Sequence, residues 1–406
     1  MNKKKRMTTK KTYSHKVGIV VVIFILIIFL VTIIFDNSSS ESFSTPIFEL
    51  STDDGVIVRT LDDGPVVNHV ETPESVKAIY MTSWVASTPS IRQGIIDLIK
   101  ETEINSVIID IKDDTGMISF KGNDPVLEEM GSYENRIRDI RELIQIFHDM
   151  DVYVMGRVAV FQDPHLTSIW PEEAVKFAST GGVWTDRKGL SWVDAGSQRV
   201  WDYAARVAID AYNQGFDEIN FDYVRFPTDG KMSDIAFPYS EGKDKNLVIE
   251  EFFTYLDSKL EDTGIVTSAD VFGMVAVAND GIGIGQVLEM ITPHVDYIAP
   301  MVYPSHFAHN FKGLGDPNED PYGVIYHSMK DAYDKLIAAQ SLETTEEGKM
   351  IFDTDKLRPW LQDFDYGGEY DAADVRAQIQ ATYDVGLDSW MLWDPSNKYT
   401  RGALLE

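Results

Sequence analysis

From Lys77 onward, short runs of apolar residues alternate with stretches in which apolar residues recur every three or four positions. Runs of the first kind read as buried strands, and stretches of the second kind as helices with one apolar face. Strands are predicted at 78–84, 106–112, 153–161, 218–226, 266–274, 295–303, 357–364 and 389–393. Helical patterns lie between them, at 91–103, 134–150, 198–214, 246–262, 322–340 and 371–383. In the fourth of these, Ile249, Phe252, Phe253, Leu256 and Leu260 form a single stripe. Gly215, Gly264 and Gly386 stand where a helix ends in a left-handed residue. Parallel strands need crossover helices, and eight such units predict an α/β fold, the TIM (β/α)8 barrel, over 77–406. Only residues 394–406 follow the last strand, which implies a truncated final helix or closure by the N-terminal segment.

Upstream, residues 17–35 form an unbroken run of 19, apolar except for Gly18 and Thr32. At about 1.5 Å per residue such a helix spans roughly 28 Å, enough to cross the hydrocarbon core of a bilayer. A basic tail, 1–16, precedes it and is expected to stay in the cytoplasm. A cleaved secretory signal competes with this reading, but its apolar region is shorter and ends in small residues, which Phe35-Asp36-Asn37 does not supply. The expectation is a single-pass transmembrane helix with the body outside the cytoplasm. Residues 36–76, rich in serine and acids, read as a stalk leading to the body.

The chain carries a net charge of −29, and the acidity belongs to the body. Residues 1–36 hold seven Lys and Arg against one acid, leaving 29 basic and 64 acidic residues beyond them. A surface of that sign repels phosphate backbones, so no nucleic-acid partner is predicted. The absence of cysteine excludes disulfides, thiolate metal sites and cysteine nucleophiles.

In a parallel barrel, chemistry gathers at the C-terminal ends of the strands. Those ends carry mostly carboxylates: Asp110, Asp113 and Asp114, then Asp163, Asp222, Asp270, Asp363, Asp365 and Asp394. Arg157, Arg225, Tyr303, His306 and Trp393 lie among them. A duller account exists for each: Asp113 in a turn, Asp110 in a salt bridge to Lys112 or Arg157, Asp222 paired structurally with Arg225, the aromatic residues as core. Two carboxylates on adjacent strands nevertheless suit glycoside hydrolysis, which needs one protonated and one ionised acid. Strands about 4.8 Å apart bring Asp222 and Asp270 near the spacing of a retaining pair, if both side chains point inward. The long segment 162–197, with Trp170, Trp184 and Trp192, is predicted to form one wall of a polymer groove.

Phe221-Asp222-Tyr223-Val224-Arg225-Phe226-Pro227 is the most distinctive stretch. Together with Tyr80-Met81-Thr82-Ser83-Trp84, Val107-Ile108-Ile109-Asp110-Ile111-Lys112-Asp113, Ala299-Pro300-Met301-Val302-Tyr303-Pro304 and Trp390-Met391-Leu392-Trp393-Asp394, it resembles the putative glycosyl hydrolase domain family, long catalogued as a domain of unknown function. The resemblance runs from about Lys77 to Asp394. It implies a TIM barrel related to the alpha-amylase superfamily, a carbohydrate-active enzyme, and Asp222 as the strand-four nucleophile. Alpha-amylases carry an arginine two residues before that aspartate and a glutamate on strand five; here Arg225 follows Asp222 and strand five offers Asp270.

The expected protein is a membrane-anchored, outward-facing glycoside hydrolase of a cell-envelope or extracellular polysaccharide, with no cofactor. Asp222 and Asp270 are the predicted catalytic pair. Arg225 is predicted to keep Asp222 ionised and, with Asp110, Asp113, Arg157, Tyr303, Trp393 and Asp363, to face substrate. The rivals are a glycan-binding barrel without catalysis and a metal-dependent hydrolase, the latter weakened because only His306 among the histidines sits near a strand end.

Overall fold

A computed structural model describes residues 67–342 and 351–406. The predicted basic tail at 1–16, the anchor at 17–35 and the stalk as far as residue 66 lie outside the described residues. Eight parallel strands close into a barrel: β1 Lys77–Met81, β2 Ser106–Lys112, β3 Tyr153–Ala159, β4 Glu218–Asp222, β5 Val266–Phe272, β6 Tyr297–Met301, β7 Trp360–Gln362 and β8 Trp390–Trp393. Each strand pairs with the next in sequence. The ring is closed by β1 against β8, with Lys77 opposite Trp390 and Ile79 opposite Leu392.

The longer helices outside the ring are α1 Pro89–Lys100, α2 Ile140–His148, α3 Gln198–Tyr212, α4 Lys245–Leu260, α5 Pro321–Gln340 and α6 Ala372–Val385. The starts of α3, α5 and α6 are capped by side chains that satisfy free amide groups: Ser197 on Val200, Asp320 on Gly323, and a reciprocal Asp371–Asp374 box. Gly386 ends α6 at φ 102°, a conformation that spares only glycine a steric penalty. No full helix joins β5 to β6, where short helical turns serve instead. After β8 the chain makes a single 3-10 turn, Arg401–Ala403.

Strand alternation splits the apolar residues into two layers. Ile79, Val107, Ile109, Ile219, Phe221 and Leu392 face outward and pack against the helices. Ile108, Met155, Ala299, Trp360 and Met391 face inward and fill the barrel. At its N-terminal end the interior holds a buried ion pair, Arg358 to Glu218 at 2.8 Å. The Tyr153 hydroxyl donates to the same Glu218 at 3.0 Å, and the Arg358 guanidinium stacks 3.1 Å from the Tyr297 ring centroid. Residues 67–76 run beneath this end, where the Val70 amide donates to Asp217 and Thr72 to the Tyr153 hydroxyl.

Six strands end before their predicted bounds, four of them by two residues and β1 and β4 by more. β1 was predicted to reach Trp84, but Thr82 caps the Val85 amide and starts a helical turn, Ser83–Ala86. β4 was predicted to reach Phe226, but Tyr223 adopts φ 55° and turns the chain out of the sheet.

The segment 162–197 does not form the predicted groove wall. Trp184 and Trp192 are completely buried. Asp186 fastens the loop from within: its carboxylate accepts from the amides of Lys188 and Leu190, from Trp192 Nε1 and from Gln162 Nε2. Those bonds pair polar groups that a long loop would otherwise leave open, so Trp184 and Trp192 pack into the fold, while Trp170, half-buried, lies against Arg199 and the edge of Tyr203 on α3.

Candidate active site

Asp222 ends β4 and Asp270 lies near the end of β5, and both line a cavity of about 360 Å³ at the C-terminal mouth. Pairing of Asn220 with Ser268 puts the two strands in step, so both carboxylates point inward. Arg157 on β3 pairs in register with Asn220. Its Nε donates to Asp222 Oδ2 at 3.0 Å, its Nη2 reaches the same oxygen, and its Nη1 donates to Asp110 Oδ1 at 2.8 Å. The Arg157 Nε also stands 3.9 Å from Asp270 Oδ2. The legs of 3.0 and 3.9 Å meet at that nitrogen, so the two aspartate oxygens lie within about 7 Å of each other. Tyr80 completes the network by donating its hydroxyl to Asp110.

Burying these charges is tolerable only because they alternate in sign and are hydrogen-bonded. Burial works against the Arg157 charge, but the fields of Asp222 and Asp110 outweigh it and raise its pKa above the ordinary arginine value. Asp270 takes the opposite course. Burial, then the negative charge of Asp222, pushes its carboxyl up to about 8, against the opposing pull of Arg157. At neutral pH Asp270 therefore carries a proton. Its Oδ1 accepts from Asn220 Nδ2 at 3.0 Å and Trp360 Nε1 at 2.7 Å, which fixes the carboxyl and turns Oδ2 toward Arg157 and the cavity. Next to Asp222, the left-handed Tyr223 costs about 1–2 kcal/mol for a non-glycine residue. That turn aims the Tyr223 amide at Asp222 Oδ1, 2.5 Å away.

Arg225 does not pair with Asp222. It lines the cavity with its guanidinium between Trp192, Tyr223 and Phe272, at 4.8, 5.4 and 4.6 Å from the ring centroids, and donates to the Phe226 carbonyl. Burial lowers its pKa. The group that faces Asp222 is Arg157, whose donors are committed to carboxylates. Asp110 sits behind the cavity as a second anchor for Arg157. Asp113 lies outside, bound to Arg136 at 2.5 Å and to the amide of Thr115, as a turn residue would be.

Tyr303 and Trp393 line the cavity and also border a second chamber of about 700 Å³. Trp393 is held by Tyr80, stacked at 4.0 Å, and by the edge of Trp360 at 5.5 Å. Asp363 lines that second chamber, accepts from the Thr400 amide at 2.8 Å, and is pushed up to about 6 by burial. Asn220, Trp360 and Tyr80, which orient the acids, were absent from the predicted site. Their signal is positional, since Asn220 shares a strand face with Asp222. Arg157, on the neighbouring strand, stands level with Asn220 and brings its guanidinium to Asp222. Among the described residues no three His, Cys, Asp or Glu side chains converge as metal ligands.

Residues 78–399 match the family model described as "Putative glycosyl hydrolase domain". Among curated proteins none matches. Among solved structures, the chain is similar to the glycoside hydrolase domain of PgaB (BpsB) from Bordetella bronchiseptica, with 12% identity and a TM-score of 0.57 over 82% of this chain and 99% of that one. A hypothetical protein from Ruminiclostridium thermocellum is 37% identical over 48% of this chain and 97% of its own, with a TM-score of 0.44. The spore cortex-lytic enzyme SleL of Bacillus megaterium matches at 11% identity and a TM-score of 0.47, covering 84% of this chain and 74% of that one. With 78–399 matched, the chain belongs to the family of glycosyl hydrolase domains that this model describes.

Proposed function

We propose that this protein is a membrane-anchored, extracytoplasmic glycoside hydrolase that cleaves a cell-envelope or extracellular polysaccharide with Asp222 as nucleophile and Asp270 as acid/base. The observation that carries the reading is the asymmetry around Arg157. The guanidinium is in direct contact with Asp222 but 3.9 Å from the protonated Asp270. The acid in contact with the guanidinium is placed to act as the anion and the other keeps its proton, the division of roles that glycosidic cleavage requires.

Asp270 gives its proton to the glycosidic oxygen as the bond to the anomeric carbon breaks, and Asp222 attacks that carbon. The leaving alcohol departs with the proton. Asp270, now ionised, takes a proton from water, which displaces Asp222 and frees the second sugar. A separation within about 7 Å covers the retaining spacing of roughly 5–5.5 Å and only the lower edge of the inverting range. It also falls short of the wide spacing, beyond about 9.5 Å, that would suit a barrel that only binds glycans. The Trp393 ring, braced on Tyr80 and Trp360, offers a face for the apolar side of a pyranose. The apolar run 17–35 and the basic residues before it support the anchor.

The test is to incubate the full chain with a panel of envelope glycans and measure new reducing ends. Asp222→Asn is expected to lower turnover at least about 10³-fold with the fold retained, and the product is expected to keep its anomeric configuration. Undiminished turnover by Asp222→Asn removes the nucleophile assignment, and an inverted product removes the covalent step.

A further inference from the structure

We propose that Trp84 is the outer end of a sugar-binding track that starts at the acid pair and follows the barrel rim, so that the substrate is a polymer held over several units on one side of the cut. The proposal rests on the glycosidase reading above and specifies its substrate as an extended chain.

Trp84 is 62% exposed, although it lies only three residues beyond β1 on the catalytic face of the barrel. One face of its ring is covered: the Arg136 guanidinium stacks 4.2 Å from the ring centroid. Arg136 is fixed in turn, donating to Ser83 Oγ and Asp113 Oδ2 at 2.5 Å each and to Glu134 at 2.7 Å, with its side chain only 4% exposed. The indole is therefore clamped from beneath, with its other face toward solvent. A rigid aromatic face of this kind binds a pyranose without first having to be ordered.

Its position is continuous with the cleft. The helical turn that bears Trp84 begins at Thr82, whose amide donates to Asn397 Oδ1 at 2.9 Å. The loop after β8 that contains Asn397 also supplies Asp394, Ser396 and Lys398 to the second chamber. Around the ring, the acid pair ends β4 and β5, and Tyr303 and His306 follow β6 between the two chambers. Tyr366, itself 62% exposed and 5.9 Å from the His306 ring, follows β7; Trp393 ends β8; Trp84 follows β1. Four strand steps separate β5 from β1, an arc of about 20 Å at the usual strand spacing. Aromatic side chains mark this arc at each step.

The experiment uses the full chain, Trp84→Ala and Trp84→Phe on chitin-, xylan- and amylose-derived oligosaccharides from dimer to decamer, with initial rates read as new reducing ends. Wild-type kcat/KM is expected to climb with length on whichever series is cut. Trp84→Ala should lower it about tenfold on the decamer through KM, with a loss below about twofold on the tetramer, and Trp84→Phe should restore most of it. Equal losses at all lengths, or none at any, overturn the track while leaving the hydrolase reading intact. Absence of cleavage by the wild type both of every series and of the envelope-glycan panel counts against the hydrolase reading itself, and the track falls with it. Thermal unfolding of both variants within a few degrees of wild type separates a binding loss from misfolding.

Discussion

Asp222 and Asp270 are the same kind of side chain on neighbouring strands, and their surroundings pull them apart. Asp222 meets the guanidinium of Arg157 directly. Asp270 is 1% exposed, accepts from two neutral donors and shares its cavity with the charge of Asp222. In the proposed mechanism Asp270 must be protonated before the reaction, so kcat/KM is expected to fall as pH rises through about 8, where Asp270 loses its proton. Stability follows the same group. The unfolded chain ionises this aspartate near its ordinary value, whereas the fold holds it protonated up to about 8. Between those values the native state binds the extra proton, so its stability declines as pH rises. Replacing Asp270 with Asn removes that penalty. Melting temperature is expected to rise by about 2–4 °C at pH 8, with little change at pH 4, while hydrolysis falls at least about 10²-fold; calorimetry at the two pH values checks it. Arg157 is less replaceable than its charge suggests. Lysine cannot reach Asp222 and Asp110 together, and Arg157→Lys is expected to lower kcat about 10²-fold in a folded protein, with the alkaline limb displaced. Sequence proximity pointed to Arg225, three residues from Asp222, as the partner. The ladder places Arg157 instead, 65 positions away but on the adjacent strand, and no local pattern reports that.

The strands were legible from their outward layer: Val107, Ile109 and Ile111 on β2, Ile219 and Phe221 on β4, and Ala269 and Val271 on β5 are apolar, while Asp110, Asn220, Asp222 and Asp270 stand between them on the inward face. Their ends were not, because side-chain chemistry sets them: a threonine cap after β1 and a left-handed tyrosine after β4. Helix α2 begins at Ile140 and not at 134, since Arg136 and Ile137 donate their amides to the Ser119 carbonyl across the chain and are unavailable to a helix. Segment 162–197 was the largest misreading. Three tryptophans in a long loop look the same in sequence whether they face a polymer or the barrel, and the deciding residue is Asp186, with four donors converging on it. Asp186→Ala leaves those donors buried and unpaired, at an expected cost of about 2–4 kcal/mol. Because Trp192 stacks under Arg225, the loosened loop also disturbs one cavity wall. Urea titration should show the lost stability, and limited proteolysis should cut first within 178–191, whereas unchanged resistance at that loop would refute the fastening role.

At the scale of the whole molecule, the barrel interior has two polar ends separated by an apolar layer. Ile108, Met155, Ala299 and Met391 lie between the Arg157 network at the mouth and the Glu218–Arg358 pair at the base. Charge inside a barrel is ordinarily a burden, since each ion gives up its hydration and recovers it only through its partner. At the mouth that burden sets the protonation of the acids; at the base it serves the fold, where Glu218 also holds Tyr153. The two networks share no hydrogen-bonded side chain among the described residues, so their effects should add. Arg358→Met strands Glu218, which is 1% exposed, and is expected to cost about 3–5 kcal/mol, lowering the melting temperature while kcat at a temperature where the protein stays folded changes less than about twofold. Adding Glu218→Gln should recover part of that stability by removing the stranded charge. Combining Arg358→Met with Arg157→Lys should give the kcat of the second and, within about 0.5 kcal/mol, the summed stability loss of both. A combined variant whose kcat falls well below that of Arg157→Lys alone would mean that the apolar layer transmits strain from base to mouth, and that the barrel's two ends are one device.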